Sequence, residues 1–270
     1  MKYYLYNSLD IKKLKYYIPE DCKLIDTSKI RYKDFFDSLN SSDEIVLIGG
    51  DMSINYLINL VDIDHLQNNV YLLNDGTSND FLTDIGGQVD KEILINDYLK
   101  NLPTVKVNGM TKKFVNNMGF GIDGYCCEVA EENKIRRPNE ETNYTMIAII
   151  GFLFRFRPFH ADIEVDGNSY SFDNVWMAPT MKGKYFGGGM KVAPDQDRKS
   201  DHLTVVVLSS KSKLKALMSF PTIFEGKHIE KTDLFTIITG KKVHAKFSRP
   251  AAGELDGNVI EDVSEYWVKM

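Results

Sequence analysis

Cysteine is scarce in this chain. Only three of the 270 residues are cysteines, namely Cys22, Cys126 and Cys127. Their spacing fits no zinc-ligand pattern, and two adjacent cysteines do not readily bond to each other. The sequence therefore predicts neither a disulfide framework nor a cysteine-based metal site, and such low cysteine usage is typical of a reducing cytoplasm.

A long apolar run and a strong charge excess are also missing. No stretch approaches the roughly 20 apolar residues of a membrane-spanning helix. Lysine and arginine number 33 against 38 acidic residues, so the net charge is −5, while 43% of the residues are apolar. Because the basic residues are scattered, no nucleic-acid partner is predicted. We expect a soluble, cytoplasmic protein with a sizeable core.

The first hundred residues alternate between strand-like and helix-like segments. Strands are predicted over residues 3–6, 23–25, 44–48 and 69–73, and helices over residues 32–39 and 53–61. Strands and helices that alternate at this pace favour a parallel sheet with helical crossovers. We therefore predict an α/β domain over residues 1–103.

From residue 104 the pattern changes to two-residue alternation. Asn-Gly at 108–109 and Asp-Gly at 166–167 separate alternating runs, which is the signal for antiparallel hairpins. Helices are predicted only over residues 144–156 and 213–224. The sequence thus predicts a second, mostly β domain over residues 104–270.

Two segments that combine glycine with a carboxylate follow predicted strands. They are Gly-Gly-Asp-Met-Ser-Ile-Asn at 49–55 and Asn-Asp-Gly-Thr-Ser-Asn-Asp at 74–80. Glycine lets a phosphate approach backbone N–H groups, and an acid beside a phosphate favours a hard cation such as Mg²⁺. Taken alone, each motif equally fits an ordinary turn. We expect the first at the carboxyl end of its strand, with Ser53 as the N-cap of the next helix.

In their order along the chain, these and four later segments resemble the diacylglycerol kinase catalytic family, bacterial lipid kinases related to sphingosine and ceramide kinases. The first two are similar to its Gly-Gly-Asp-Gly-Thr-x-Asn and Gly-Thr-Gly-Asn-Asp-Phe signatures. The later matches lie at 117–124, 187–194, 201–203 and 255–258. Six ordered matches span nearly the whole chain.

The resemblance implies a Rossmann-like nucleotide-binding domain, a C-terminal β-sandwich domain that binds lipid, and an active site in the interdomain cleft. It implies an enzyme of phospholipid biosynthesis that transfers the γ-phosphoryl group of ATP, with Mg²⁺, to a hydroxyl of diacylglycerol or a related lipid. Such chemistry depends mainly on positioning and charge neutralisation. Transient contact with the inner face of the membrane would follow, and a homodimer is compatible with the sequence.

Roles for individual residues also follow from the resemblance. Asp51 and Asp80 would organise Mg²⁺, and Asp256 is the candidate general base, although Asp-Gly is equally a hairpin-turn pattern. A second Mg²⁺ site would involve Asp201 with backbone carbonyls near Arg198 and Leu203. The implied nucleotide-binding residues are Asn7, Gly49, Gly50, Ser53, Asn55, Gly76, Thr77 and Asn79.

Among the residues that depart from the family signatures, three bear most directly on activity. Met52 and Ser78 stand where the family has glycine, and Asn258 stands where it has glutamate. If position 52 required positive φ, methionine would cost on the order of 1 kcal/mol. A catalytically weakened nucleotide- or lipid-binding pseudokinase is therefore the alternative function. NAD kinase, which shares Gly-Gly-Asp-Gly, is a second enzymatic rival that fits the later segments less well.

The segment 151–159 combines aromatic residues with Arg155 and Arg157. Aromatic rings and basic head groups are favoured at a membrane interface, so one hypothesis places this segment against lipid. The alternative is a core-packing helix that ends before Pro158.

Overall fold

The computed structural model describes residues 1–7, 19, 21–74, 79–89, 91–136 and 144–270. Four motif residues, Asp75, Gly76, Thr77 and Ser78, lie outside the described residues. The chain divides into two compact units, Met1–Leu102 and Pro103–Met270. No helix in the described ranges is long and apolar enough to cross a bilayer.

The first unit is built on a sheet that contains five strands in its described part, in the order β2-β1-β3-β4-β5. The strands are β1 (Lys2–Tyr6), β2 (Lys23–Asp26), β3 (Glu44–Ile48), β4 (Asn69–Leu73) and β5 (Ile93–Leu94). The first four are mutually parallel, as predicted, whereas β5 is antiparallel to β4. Strand β3 is buried along almost its whole length, as expected for a parallel strand covered on both faces.

Three α-helices are described in this unit: α1 (Tyr32–Asp37), α2 (Asp51–Leu60) and α3 (Asp80–Asp84). Helix α2 starts two residues before the predicted position, so the prediction that Ser53 is its N-cap is wrong. Gly50 occupies the N-cap position, and Asp51 opens the first turn. A carboxylate there is stabilised by the positive end of the helix dipole, which explains why the helix begins at the acid.

The second unit contains, in its described part, an antiparallel sheet of ten strands in the order β7-β6-β15-β14-β8-β11-β12-β10-β9, with β13 beside β12. The strands are β6 (Thr104–Val107), β7 (Met110–Lys113), β8 (Asn117–Phe120), β9 (Phe159–Val165), β10 (Asn168–Met177), β11 (Thr180–Met181), β12 (Leu203–Ser209), β13 (Phe235–Gly240), β14 (Lys242–Leu255) and β15 (Asn258–Lys269). One part of β14 pairs with β9 and its end pairs with β8, so this strand closes the sheet on itself.

The predicted Asn-Gly and Asp-Gly hairpins are confirmed. Asn108 and Gly109 join β6 to β7 with φ of 47° and 75°, and Asp166 and Gly167 join β9 to β10 with φ of 50° and 85°. Positive φ at both central residues matches the right-handed twist of the paired strands, and Asn, Asp and Gly tolerate it best. These local signals therefore fix the two turns.

Four α-helices are described in the second unit: α4 (Ile122–Arg136), α5 (Tyr144–Ile150), α6 (Lys213–Ser219) and α7 (Pro221–Phe224). The predicted helix over 144–156 is α5 followed by a π-helical turn at Gly151–Arg155. The predicted helix over 213–224 is divided before Pro221, because proline cannot donate the backbone hydrogen bond that a continuous helix needs. Helix α4 has no periodic apolar stripe in its sequence, so apolar spacing did not predict it.

Candidate active site

The turn between β3 and α2 depends on a glycine. Gly49 has φ of 142°, and a Cβ placed on it would lie 2.3 Å from Ser53 Oγ. Its N–H donates to the carbonyl of Leu73 at 3.1 Å, which joins the turn to the end of β4. Because β1, β3 and β4 are parallel, Asn7, Gly49 and Asn74 follow their strands at the same sheet edge.

Met52 lies within α2 and does not have positive φ, which answers the concern about strain at this position. Its side chain is 44% exposed. A side chain in the first helical turn is compatible with ordinary helical geometry. The methionine therefore creates no backbone strain where the family signature has glycine.

Asp51 connects the two glycine-containing motifs of the first unit. One of its carboxylate oxygens accepts the backbone N–H of Asp80, and the other accepts that of Phe81, both at 3.0 Å. These N–H groups belong to the first turn of α3, which has no intrahelical acceptor for them. The carboxylate thus holds the start of α3 beside the start of α2.

Asn79 is the N-cap of α3. Its Oδ1 accepts the N–H of Leu82 at 2.8 Å. Its Nδ2 is buried and has no hydrogen-bond partner among the described residues. The neighbouring Asp80 is only 6% exposed. Near the carboxyl edge of the sheet there is consequently a buried amide donor that can serve an acceptor from a ligand.

Asn55 is also buried, one turn into α2. The side-chain amide of Asn59 donates to the Asn55 carbonyl at 2.9 Å and to its Oδ1 at 3.3 Å. This contact braces the helix that carries Asp51. A nucleotide contact by Asn55 stays a prediction.

In the second unit, Asp256 lies in the hairpin turn between β14 and β15, with φ of 48°. It is 3% exposed. Its carboxylate accepts backbone N–H groups from Val115 at 2.8 Å, Asn116 at 2.7 Å and Asn117 at 3.2 Å. The hairpin-turn interpretation is therefore correct, and the same side chain fixes the backbone that leads into β8.

Arg198 supports this backbone from another direction. Its guanidinium donates to the carbonyl of Val115 at 2.6 Å and to Oδ1 of Asn116 at 2.7 Å. The side chain is buried, and the bidentate geometry of arginine suits such a pair of acceptors. Only the backbone near Arg198 was expected to take part in a site. The contacts of its side chain were not predicted, because a sequence does not show which distant groups a side chain reaches.

The predicted second Mg²⁺ site around Asp201 stays a prediction, but its carboxylate already has two side-chain partners, Lys241 and His202. Lys241 pairs with one oxygen, and His202 Nδ1 lies 2.8 Å from the other. The hydrogen bond from Lys241 is the main cause that lowers the pKa of Asp201. Across the described ranges, no cluster of three or more His, Cys, Asp or Glu side chains is arranged to hold a metal ion.

Two buried acids that the sequence analysis did not select lie beside the Asp256 turn. Asp123, in the first turn of α4, is 7% exposed, and Glu254, near the end of β14, is 2% exposed. Burial raises the pKa of Asp123 to about 7, and burial followed by the Asp123 charge raises that of Glu254. Asp123 lies within the matched segment 117–124 and Glu254 directly precedes the segment 255–258, but neither position in the sequence reveals burial.

Comparison with known proteins decides the family. The model of the YegS C-terminal NAD kinase beta sandwich-like domain matches residues 116–266, more than half of the chain. The chain belongs to the diacylglycerol kinase family. Among its relatives in this family, a diacylglycerol kinase of Mycobacterium tuberculosis (strain CDC 1551 / Oshkosh) is 24% identical over 213 residues, covering 76% of this chain and 67% of the relative. The Bacillus subtilis (strain 168) protein YtlR is 26% identical over 222 residues, covering 74% of this chain and 68% of YtlR.

A diacylglycerol kinase of known structure, from Bacillus anthracis str. Sterne, has a similar fold. The TM-score is 0.64, and the alignment covers 100% of this chain and 93% of that chain at 15% identity. At such low identity the likeness concerns the fold alone. Family membership confirms the resemblance drawn from the six motifs and supports a kinase at the family level.

Proposed function

We propose that this member of the diacylglycerol kinase family is an ATP-dependent lipid kinase that phosphorylates a hydroxyl of diacylglycerol or a related lipid. The observation that carries this proposal is the contact between the Asp51 carboxylate and the backbone of Asp80 and Phe81. It brings together the two signatures that the family resemblance assigns to nucleotide and metal. In this proposal residues 1–103 bind the nucleotide and residues 104–270 bind the lipid.

The nucleotide phosphates would lie against the turn at Gly49 and Gly50 and the start of α3. A Cβ at Gly49 would collide with Ser53, so the glycine keeps the backbone of this turn accessible. The Nδ2 of Asn79, which has no hydrogen-bond partner among the residues that the structure describes, is a buried donor that suits a phosphate oxygen. Asn7, Asn55, Gly76 and Thr77 complete the proposed nucleotide-binding set.

Asp51 and Asp80 fit Mg²⁺ because both supply hard carboxylate oxygens close to the proposed phosphate site. Asp51 accepts one N–H on each oxygen, and a carboxylate oxygen can accept more than one contact. When bound, the ion would neutralise charge on the transferred phosphoryl group. The ion pair with Lys241 makes Asp201 a poorer donor for a second ion.

Asp256 would accept the proton of the lipid hydroxyl. The three backbone N–H groups that contact its carboxylate hold it in one orientation, and a fixed base is what an attacking hydroxyl requires. This role requires the hydroxyl that Asp256 deprotonates to attack the γ-phosphorus of the ATP that Asp51 and Asp80 would hold, with ADP as the leaving group.

The test is transfer of label from γ-labelled ATP to a panel of diacylglycerol, monoacylglycerol and sphingoid-base acceptors. We expect wild type to label at least one lipid and Asp256→Asn to lose about 10³-fold in kcat, a typical contribution of general-base catalysis. The matched control is Asp166→Asn, which changes another Asp-Gly hairpin and should keep full activity. Equal rates in wild type and Asp256→Asn would contradict the assigned base.

The alternative is a nucleotide- or lipid-binding pseudokinase. It is favoured by the backbone contacts that already engage the carboxylates of Asp51 and Asp256, and by Asn258, whose amide donates to the Leu255 carbonyl at 3.1 Å. Calorimetric titration with ATP and Mg²⁺ separates the two functions. Nucleotide binding without transfer to any lipid supports the pseudokinase, whereas transfer to a lipid excludes it.

Peripheral contact with the inner membrane face would involve α5 and the turn after it. Buried Phe152 and Phe156 show that this segment packs in the core, as one sequence interpretation predicted. Its opposite side nevertheless exposes five apolar side chains: Met146, Ile149, Ile150, Leu153 and Phe154. Exposed Arg155 and Arg157 follow this apolar face, a combination favoured at an anionic interface.

Vesicle sedimentation tests this surface. Phe154→Ser and the pair Arg155→Glu and Arg157→Glu should each reduce binding to vesicles with 30% phosphatidylglycerol by about 10-fold, because apolar insertion and charge each contribute roughly 1–2 kcal/mol. Leu214→Ser removes an equally exposed apolar side chain from α6 and is the control. Unchanged binding in all three variants would exclude the proposed surface.

A further inference from the structure

Two buried carboxyl groups border one small space in the second unit. Gly119 of β8 pairs with Glu254 of β14, and Asp123 follows β8 in the first turn of α4. A Cβ on Gly119 would lie 2.3 Å from Asp123 Oδ2 and 2.6 Å from Glu254 Oε1. The two acids therefore approach each other on one side of the strand, in space that the glycine leaves open.

The two acids differ in their hydrogen bonds. Glu254 Oε1 accepts the side-chain amide of Asn117, and its Oε2 accepts the N–H of Gly257 at 2.8 Å. The carboxyl oxygens of Asp123 accept no hydrogen bond of ordinary geometry from the described residues, although nearby backbone N–H groups, that of Gly124 foremost, partly offset the rise in its pKa. Glu254 is thus the fixed member of the pair, and Asp123 has oxygens available for a shared proton.

No described lysine, arginine or histidine forms an ion pair with either acid. The other titratable groups that face them are Cys126 and Cys127 on α4, Tyr266 on β15 and Asp256 in the turn, all of which are neutral or acidic. The charge of Lys134 partly offsets the rise in the pKa of Cys127. Two buried like charges without a cation are strongly disfavoured, so one carboxyl group must retain its proton near neutral pH.

The pair is connected to the candidate base through two short paths. Asn117, whose side chain contacts Glu254, donates its backbone N–H to Asp256 Oδ1 and accepts the N–H of Asp256, both at 3.2 Å. Gly257, the next residue in the turn, donates to the other oxygen of Glu254. A displacement of Glu254 would therefore move both sides of the turn that carries Asp256.

We propose that Asp123 and Glu254 share a single proton and that this protonated pair positions the turn at Asp256 and Gly257. Both acids are positioning residues, because they act through the backbone and Asn117 rather than on a substrate. When the proton is lost, repulsion between two buried carboxylates displaces Glu254 and loosens the turn. The positioning part of this proposal rests on the proposed function of Asp256, whereas the shared proton does not.

The pair itself is tested without an activity assay. Raised pKa values mean that the folded state holds more protons than the unfolded chain from about pH 4 to pH 7, so the pair makes stability fall as pH rises through that window. Asp123→Asn removes the contribution of Asp123 to this effect and the part of the Glu254 shift that the Asp123 charge causes. Its unfolding temperature relative to wild type should rise by on the order of 3 °C between pH 4.5 and pH 8. Glu132→Gln on the same helix breaks an exposed ion pair with Arg136 and should keep the wild-type slope.

NMR shows directly whether the turn follows the pair. In wild type, the ¹³C carboxyl shift of Asp123 should titrate with a midpoint near pH 7, and the carboxyl shift of Glu254 and the amide shift of Gly257 should respond to the same proton loss. In Asp123→Asn the Gly257 titration should disappear. Parallel stability curves for wild type and Asp123→Asn, or a Gly257 amide that is insensitive to pH in wild type, would overturn the proposal. Because the wild-type measurement is sufficient alone, a variant that fails to fold does not prevent the test.

Kinase kinetics then separate positioning from mere stability. If the enzyme transfers phosphate, wild-type kcat should fall about 10-fold as the shared proton is lost above pH 7, while Asp123→Asn keeps its kcat and both keep their KM for lipid. A pH-independent loss, with KM rising together with falling kcat, would overturn the positioning role. If no lipid is phosphorylated, the proposed function fails, whereas the Gly257 titration still decides whether the pair controls the turn.

Discussion

Asp51 and Asp256, one in each unit, hold distant backbone by the same means in different surroundings. Asp51 is half-buried and accepts two N–H groups from a segment 30 residues away. Asp256 is fully buried and accepts three from a segment about 140 residues away. Acids lie beside both residues: Glu254 is close to Asp256, and Asp80 opens the helix whose backbone Asp51 contacts. A carboxylate in a family motif can therefore stabilise the fold by holding distant backbone. We expect its contribution to stability to increase with its burial.

The largest expected difference comes from replacing Asp256. Asp256→Asn should lower the free energy of unfolding by about 3 kcal/mol, because an amide leaves at least one buried backbone N–H without an acceptor. Urea denaturation, followed through a signal from the second unit, measures this loss of stability. Asp166→Asn is the control, because Asp166 also accepts backbone N–H groups in an Asp-Gly hairpin but is exposed. If both substitutions cost the same, burial does not distinguish the two turns.

Glycines in the two units provide the next test. Gly119→Ala should cost about 2 kcal/mol, because the new Cβ would press against two buried carboxyl groups, of which Glu254 is fixed by hydrogen bonds. Gly49→Ala meets Ser53 Oγ at the same 2.3 Å, but that hydroxyl can rotate away. The cost at Gly49 should then be mainly the strain of positive φ, and Ser53→Ala should relieve little of it. Thermal and urea unfolding of both variants measure the difference, and a tolerated alanine at 119 would contradict the described packing.

A smaller effect is expected at Asp51. Asp51→Asn should destabilise the first unit by about 1 kcal/mol, since one of the two N–H groups at the start of α3 loses a charged acceptor but can reach water. Hydrogen exchange should accelerate at the amides of Asp80 and Phe81, which contact this carboxylate. Asp37→Asn, at an exposed pair with Lys33, is the control. Unchanged exchange at both amides would mean that Asp51 does not hold α3.

The smallest effect is expected at Met52. Because its backbone is helical, Met52→Gly should not relieve strain and should instead cost about 0.5–1 kcal/mol through weaker helix propensity. Circular dichroism during thermal unfolding is sensitive enough for this change. A stabilised glycine variant would show that the position prefers the glycine of the family signature.

Much of the fold followed from local pattern. Strands at 44–48 and 69–73 were predicted at their observed bounds, because continuous apolar runs between polar turns are a strong signal. The Asn-Gly and Asp-Gly turns were similarly clear. Helix α4 was missed because its apolar residues form no stripe, and the start of α2 was misplaced because a serine resembles an N-cap. Strand β5 was also not predicted, because two residues are too few to show an alternating pattern.

The candidate site, like the fold, was predicted only in part from the sequence. The sequence by itself determined the family, the parallel and antiparallel halves, and the acids at 51, 80 and 256, because these depend on periodicity, turn chemistry and motif order. Only the tertiary structure decided that Asp51 holds α3, that Asp256 is enclosed by backbone N–H groups, and that Asp123 and Glu254 approach each other across Gly119. Burial and hydrogen-bond partners join residues that are distant in the chain, so a carboxylate's surroundings cannot be obtained from its neighbours in sequence.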